Sequence, residues 1–193
     1  MASDADPLAP LLAALGDLTT WLKTAQAPGV IIGGVAASLL GRPRVTRDID
    51  ALVMLDEAEW MRFLTLGQRF GFEPRRPDAI DFARQVRVLL VQHAPSGIDI
   101  DIVFGALPFE EEVVANAISV DVAGIRLSLP TPEDLIIMKA VAHRPRDLGD
   151  IEAVLDTHPE LDTKRVRRWV REFSMALAMP ALLTDLEKLL KKR

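Results

Sequence analysis

The sequence predicts an α+β fold: a mixed sheet with flanking helices, followed by a C-terminal helical bundle. Three observations carry this. Short apolar runs, several alternating with period two, are interleaved with helical patterns over the first two thirds of the chain. From residue 131 onward only helical spacing remains. The 193 residues, 49% of hydrophobic type, suffice for one core with a helical extension and exclude a disordered chain.

Taken in order, Leu8, Leu11, Leu12, Leu15, Leu18 and Leu22 recur at helical spacing beside Trp21, and Ala27-Pro28-Gly29 ends that helix. Val30-Ile31-Ile32 reads as a short buried strand. Gly33-Gly34 break it and open a short helix over 35–40, and Gly41-Arg42-Pro43-Arg44 is a loop. Residues 48–55 alternate Ile49, Ala51, Val53 and Leu55 with Asp48, Asp50, Leu52 and Met54, the pattern of a strand. A helix follows over 57–69, with Trp60, Phe63 and Leu64 inward. Phe70 and Phe72, then Val86, Val88 and Leu90, suggest short strands around a charged, proline-containing loop. Residues 98–104 form a strand with Asp99 and Asp101 on one face and Ile98, Ile100 and Ile102 on the other.

Residues 108–117 are helical, and 118–122 and 125–129 make a hairpin turning at Ala123-Gly124. Thr131 caps the next helix, with Pro132 in its first turn, Glu133 and Asp134 as early acids, and an end near His143. Another helix covers 147–155. The last two carry Val166, Trp169, Val170, Phe173 and Leu177, then Leu182, Leu183, Leu186, Leu189 and Leu190. The expected organisation is a core with its N-terminal helix over 1–130 and a C-terminal helical region packed on it over 131–193.

Composition narrows the function classes. With 23 basic and 28 acidic side chains, the net charge of -5 argues against a mainly electrostatic DNA-coating protein. The absence of cysteine excludes disulfides, thiolate chemistry and cysteine zinc sites. His93, His143 and His158 are too scattered in sequence for a histidine metal cage. His93 and His158 read as loop residues, and His143 ends a helix, where a cation is favoured. Asp4 and Asp6 with no basic leader, and no apolar run of spanning length, point to a cytoplasmic protein with no membrane partner. Lys164, Arg165, Arg167, Arg168 and Arg171 give one late helix a basic face. That face is either a solvated surface or a contact for the backbone of a nucleic-acid acceptor. Lys191-Lys192-Arg193 reads as a soluble end.

Two strands need a chemical explanation. Asp48 and Asp50 share a face about 7 Å apart. An edge strand facing water would show the same doublet, but aspartate is a poor strand former. A hard divalent cation such as Mg²⁺ would neutralise the pair. Asp99 and Asp101 repeat the pattern downstream. If the strands are neighbours, three or four acids converge, enough for two Mg²⁺ ions about 4 Å apart and for phosphoryl-type transfer. Gly33-Gly34, between strand and helix, allow phosphate to approach backbone amides. A tight strand-to-helix turn would select the same residues. No Gly-Lys-Ser/Thr follows, and the next glycine is Gly41, so neither a P-loop nor the dinucleotide-binding pattern is complete.

The stretch from Ile32-Gly33-Gly34 through Ser38 to Leu40, then Arg44-Val45-Thr46-Arg47-Asp48-Ile49-Asp50, resembles the signature of polymerase-beta type nucleotidyltransferases. It is most similar to the small bacterial enzymes of abortive-infection and toxin–antitoxin systems. Many members have Gly-Ser at the turn; Gly33-Gly34 departs from that, and Ser38 partly stands in. The resemblance continues through Leu135 to Ala140, including Lys139, and then Arg144, Arg146, Asp147 and Asp150, so that it spans roughly residues 28–156.

The resemblance implies a polymerase-beta-like mixed sheet and transfer of a nucleoside monophosphate from an NTP to an acceptor hydroxyl, with release of pyrophosphate. Asp48 and Asp50 would ligate two Mg²⁺ ions, with Mn²⁺ as a substitute. Asp101 would be the third carboxylate, with Asp99 as its competitor. Gly33 and Gly34 would position the β- and γ-phosphates, and Lys139 with Arg44 or Arg47 would offset their charge. Asp147 and Asp150 could equally form ion pairs with Arg144 or Arg146 and are not assigned to catalysis. The acceptor could be tRNA, a protein side chain or a small molecule, and a toxin would bring a cognate antitoxin. A non-catalytic nucleotide-binding protein of the same fold is the competing expectation.

Overall fold

The structure is a computed structural model that describes residues 7–192; the expectations for Asp4, Asp6 and Arg193 fall outside them. The chain divides into two compact units. One runs to Gly34 and resumes over Thr46–Leu129, and the other takes Val35–Val45 and everything from Pro130.

Along the chain come α1 (Ala9–Ala25), β1 (Gly29–Ile32), α2 (Gly33–Leu40), β2 (Asp48–Val53), α3 (Trp60–Gly67), β3 (Phe72–Pro74), α4 (Ala79–Val86), β4 (Val88–His93) and β5 (Ile98–Phe104). They are followed by α5 (Pro108–Ala115), β6 (Ile118–Val122), β7 (Ile125–Leu129), α6 (Pro132–Ala142), α7 (Pro145–Thr157), α8 (Thr163–Ala176) and α9 (Ala181–Lys191). This is the α+β arrangement the sequence predicts, a mixed sheet with flanking helices and then a run of helices. Among the described residues no helix is long and apolar enough to cross a membrane.

Five strands form one sheet in the order β1-β2-β5-β4-β3. The central pair, β2 with β5, is parallel, and every other neighbouring pair is antiparallel. One face is apolar. Ile49, Ala51 and Val53 of β2, Ile100, Ile102 and Phe104 of β5, Leu89 and Val91 of β4, and Phe72 of β3 are all buried. Aromatic stacking covers it: Trp21 of α1 lies 4.2 Å from Phe63 and 4.8 Å from Phe72, and Trp60 lies 4.1 Å from Phe104. The Trp21 indole N–H donates to the Phe63 carbonyl at 3.0 Å, so this ring is buried without an orphaned donor. Helices α1 and α3 therefore take the apolar face, and the acids are left on the other.

Three local expectations change. The charged loop after β3 contains α4, whose Ala79, Ile80 and Ala83 are buried at helical spacing, and Val86 is its last residue. Phe70 belongs to a 3₁₀ turn that follows α3. His93 is no loop residue: it closes β4 fully buried, between Asp17 at 2.9 Å and Ser96 at 2.7 Å. The hairpin falls where expected, with Ala123 at φ 53° and Gly124 at φ 83° turning β6 into β7.

In the second unit α6 packs against α7, α8 and α9. Thr131 caps α6, its hydroxyl accepting from the Asp134 amide at 3.2 Å. His143 is the left-handed C-cap of α6, with Nε2 3.1 Å from Asp185. His158 stands just past α7, within 2.8 Å of the Leu40 carbonyl.

Candidate active site

Strand register assembles the acidic face. β2 and β5 run parallel with Asp48 opposite Asp99 and Asp50 opposite Asp101. Partners directly opposite one another project from the same side of a sheet. The two doublets thus form a square of four carboxylates. On β4, Gln92 is opposite Asp99 and Leu90 is opposite Asp101, which extends both rows across the sheet.

The four acids are held in different ways. The Thr46 hydroxyl donates to Asp48 Oδ1 at 3.0 Å, a role for the threonine between Arg44 and Asp48 that sequence alone leaves unassigned. Asp50 lies against Gly33, where φ is +62°, and a Cβ added there would overlap the Asp50 carboxylate. Gly33 is thus required twice, for its left-handed backbone and for this close approach. Asp99 accepts from Gln92 Nε2 at 2.9 Å and from Arg75 at 3.0 Å. Asp101 accepts from the other terminal nitrogen of Arg75. Burial pushes the Asp101 carboxyl above its ordinary value; Arg75 pulls it down, and the charges of Asp48 and Asp99 push it up again.

Sequence reasoning missed Arg75 and Gln92. Arg75 follows β3 in a Pro-Arg-Arg-Pro stretch that reads as a loop. Its amide donates to the Leu90 carbonyl at 3.0 Å, so the β3–β4 ladder continues one residue and carries Arg75 into the Leu90–Asp101 row.

The donor chemistry of this face suits a divalent cation: four carboxylate groups in two adjacent rows, all oxygen ligands, bordered by glycine amides at a helix start. Among the described residues, no three of these side chains are gathered closely enough to hold an ion as they stand, and Arg75 holds two of the four.

The second unit holds the remaining candidates except Arg47. Lys139 is buried, with Nζ 3.0 Å from Asp147 and 2.8 Å from Asp150. Arg144 closes on Asp147 at 2.7 Å, and Arg44 on Asp150 at 3.1 Å. Asp147 and Asp150 are thus members of an ion network whose cations are Lys139, Arg144 and Arg44, while Arg146 is exposed. Burial alone would raise the Asp147 carboxyl, but hydrogen bonds and charge from Arg144 and Lys139 outweigh it and hold it below its ordinary value. Ser38 clasps its own loop: its hydroxyl accepts from the Arg44 amide at 2.9 Å and donates to the Arg44 carbonyl at 3.1 Å. In the first unit Arg47 is exposed beside Asp48 in sequence. On α8, Arg165 and Arg167 are tied to Asp134 and Glu187, and Lys164, Arg168 and Arg171 face solvent.

Known structures share this fold. An antigenic nucleotidyltransferase-like protein from Paracoccidioides brasiliensis superposes with a TM-score of 0.55 at 16% identity, covering 93% of each chain. The antibiotic-resistance factor ANT(2'')-Ia, in its solution structure, gives 0.57 at 16% identity, covering 87% of this chain and 94% of its own. A search of curated protein sequences gave no match. The two structural likenesses show a polymerase-beta-like nucleotidyltransferase fold. The chain belongs to the family described as "Nucleotidyltransferase of unknown function (DUF6036)", whose model matches residues 9–179.

Proposed function

We propose that the chain transfers a nucleoside monophosphate from an NTP to an acceptor hydroxyl and releases pyrophosphate, using Mg²⁺ on the acidic face. The observation that carries this is the parallel register of Asp48 with Asp99 and Asp50 with Asp101. It brings two acid-hydrophobic-acid strands side by side on one face.

Asp48, Asp50 and Asp101 would hold the metal, with Asp99 beside them. Asp101 takes the third place because it stands opposite Asp50, the acid wedged on Gly33. Bound Mg²⁺ or Mn²⁺, as a pair of ions, supplies charge neutralisation at the α-phosphate and a more acidic acceptor hydroxyl. The chain's own residues supply position. Thr46 fixes one carboxylate oxygen of Asp48, and the backbone amides of Gly33 and Gly34 offer donors for the β- and γ-phosphates. The acceptor hydroxyl would give up its proton to Asp101 or to water, its oxygen would bond to the α-phosphorus as the bond to the β-phosphate bridge breaks, and pyrophosphate would leave. Arg47 is exposed and offers a cation to the triphosphate. Lys139 and Arg44 belong to a network of the second unit already closed by carboxylates, and Ser38 fixes the loop that carries Arg44.

The acceptor class is read from where label travels. α-Labelled ATP, CTP, GTP and UTP, each with Mg²⁺ or Mn²⁺, are incubated with total RNA, protein and small-molecule fractions of a lysate. Wild type should label one pool, and Asp48→Ala/Asp50→Ala none. Label in tRNA or protein would open a toxin role with a cognate antitoxin; label in a small molecule would close it. The commitment of Lys139 to Asp147 and Asp150 favours a second reading, nucleotide binding without turnover. Saturable NTP binding with no label in any pool would establish that instead.

A further inference from the structure

On the metal-dependent function proposed above, we propose that Arg75 is the resident counter-cation of the acidic face, holding Asp99 and Asp101 in a pairing that a divalent cation must displace. The strand ladder sets the reach. Arg75 lies opposite Leu90, which lies opposite Asp101, so two strand spacings of about 10 Å separate Arg75 from the acid it holds. Among charged side chains, arginine has both the length and the forked head for this span. One terminal nitrogen takes Asp99 Oδ2 at 3.0 Å, and the other takes Asp101 Oδ1.

The neighbouring arginines are engaged elsewhere. Arg76 closes on Asp78 at 2.6 Å. Arg84 pairs with Asp81 and Glu57. Arg87 donates to the carbonyls of Phe104 and Gly105. Among these four, Arg75 alone pairs with acids of the sheet, the two of the β5 doublet. Its side chain is 27% exposed, against 41% and 42% for Asp99 and Asp101, so the guanidinium is the more enclosed partner.

The consequence is competition. Oxygens that accept from Arg75 are withheld from a cation, and its positive charge repels one. While Arg75 is in place, Asp99 and Asp101 face it; once it leaves, these two carboxylates can turn toward a cation. Mn²⁺ binding therefore requires Arg75 to release at least Asp101. A purely structural arginine would leave metal affinity unchanged.

Mn²⁺ affinity of the full chain, without nucleotide, tests this by calorimetry or by the free-Mn²⁺ paramagnetic signal. Arg75→Gln should bind Mn²⁺ roughly tenfold more tightly than wild type. Its melting temperature without metal should fall, because Asp99 and Asp101 lose their shared counter-cation, and should recover on adding Mn²⁺ by more than wild type gains. Arg75→Lys, which keeps a charge but cannot fork, should lie between, and it carries the test if Arg75→Gln does not fold. Asp101→Asn should bind weakly. Equal or weaker Mn²⁺ binding by Arg75→Gln, with Asp101→Asn impaired, overturns the role of Arg75 and leaves the metal site standing. No Mn²⁺ binding by wild type or any variant overturns both.

Discussion

Two charged clusters in this molecule are built from the same residue types and differ in every physical respect that matters. In the second unit, Lys139 is buried between Asp147 and Asp150, and Arg144 and Arg44 close the outer sides of those acids. Cations outnumber carboxylates and the acids are almost dry. On the sheet of the first unit, one arginine holds two of the four acids, and those two, Asp99 and Asp101, are two-fifths exposed. The two regions push their carboxyl groups in opposite directions: Asp147 is held below its ordinary value and Asp101 above it. A satisfied cluster is architecture. An acidic cluster open to solvent is, on the function proposed above, where a ligand cation binds.

The sharpest way to break this contrast is to remove acids from the open cluster. Asp48→Ala/Asp50→Ala should lose about a thousandfold or more in transfer rate while melting within a few degrees of wild type, since it relieves repulsion. A large loss of stability would make the acids structural instead. The opposite behaviour is expected of Lys139→Met. It leaves two buried carboxylates with fewer partners and should cost about 3 kcal/mol, read by urea unfolding. A loss of rate with unchanged stability would move Lys139 into the reacting site.

Gly33→Ala should cost about 2 kcal/mol, from the left-handed backbone and the displaced Asp50 carboxylate, and should lower activity with it. A neutral outcome would mean that Asp50 does not rest on that backbone.

The smallest effect is the pH dependence, and its sign separates the regions. Because the folded pKa of Asp147 is depressed, its contribution is present above the unfolded value and lost as pH falls through the folded one. Because that of Asp101 is raised, its contribution is largest in acid and is lost as pH rises through the folded value. Unfolding measured from about pH 3 to about pH 7 should show Asp147→Asn with a flattened acid limb and Asp101→Asn with a gain toward neutrality. Changes of the same sign in both variants would erase the distinction.

How much of this was legible in sequence follows from how local each signal is. The doublets Asp48/Asp50 and Asp99/Asp101 stand out because side chains in a strand alternate, so two residues decide a face. The Ala123-Gly124 turn and the Thr131 cap are equally local, and the structure places both as expected. What escaped depends on pairing between distant segments. Arg75 reads as part of a charged loop until β4 supplies the ladder that aims it at Asp101. His93, next to Ala94-Pro95, reads as loop until Asp17, 76 residues away, satisfies it in the core. Lys139 was visible as a helix cation, but its commitment to Asp147 and Asp150 depends on how α6 packs on α7. Helix α4 is eight residues long and follows a proline, too short for its periodicity to register.

The most direct test of the acidic face as a transfer site is the fate of the two ends of the same triphosphate. NTP labelled at the α-phosphate and, separately, at the γ-phosphate is given to wild type with Mg²⁺ and the accepting pool. Nucleotidyl transfer requires the α-label on the acceptor and the γ-label in pyrophosphate, one for one. Label reaching the acceptor from the γ-position, or free phosphate in place of pyrophosphate, would contradict nucleotidyl transfer.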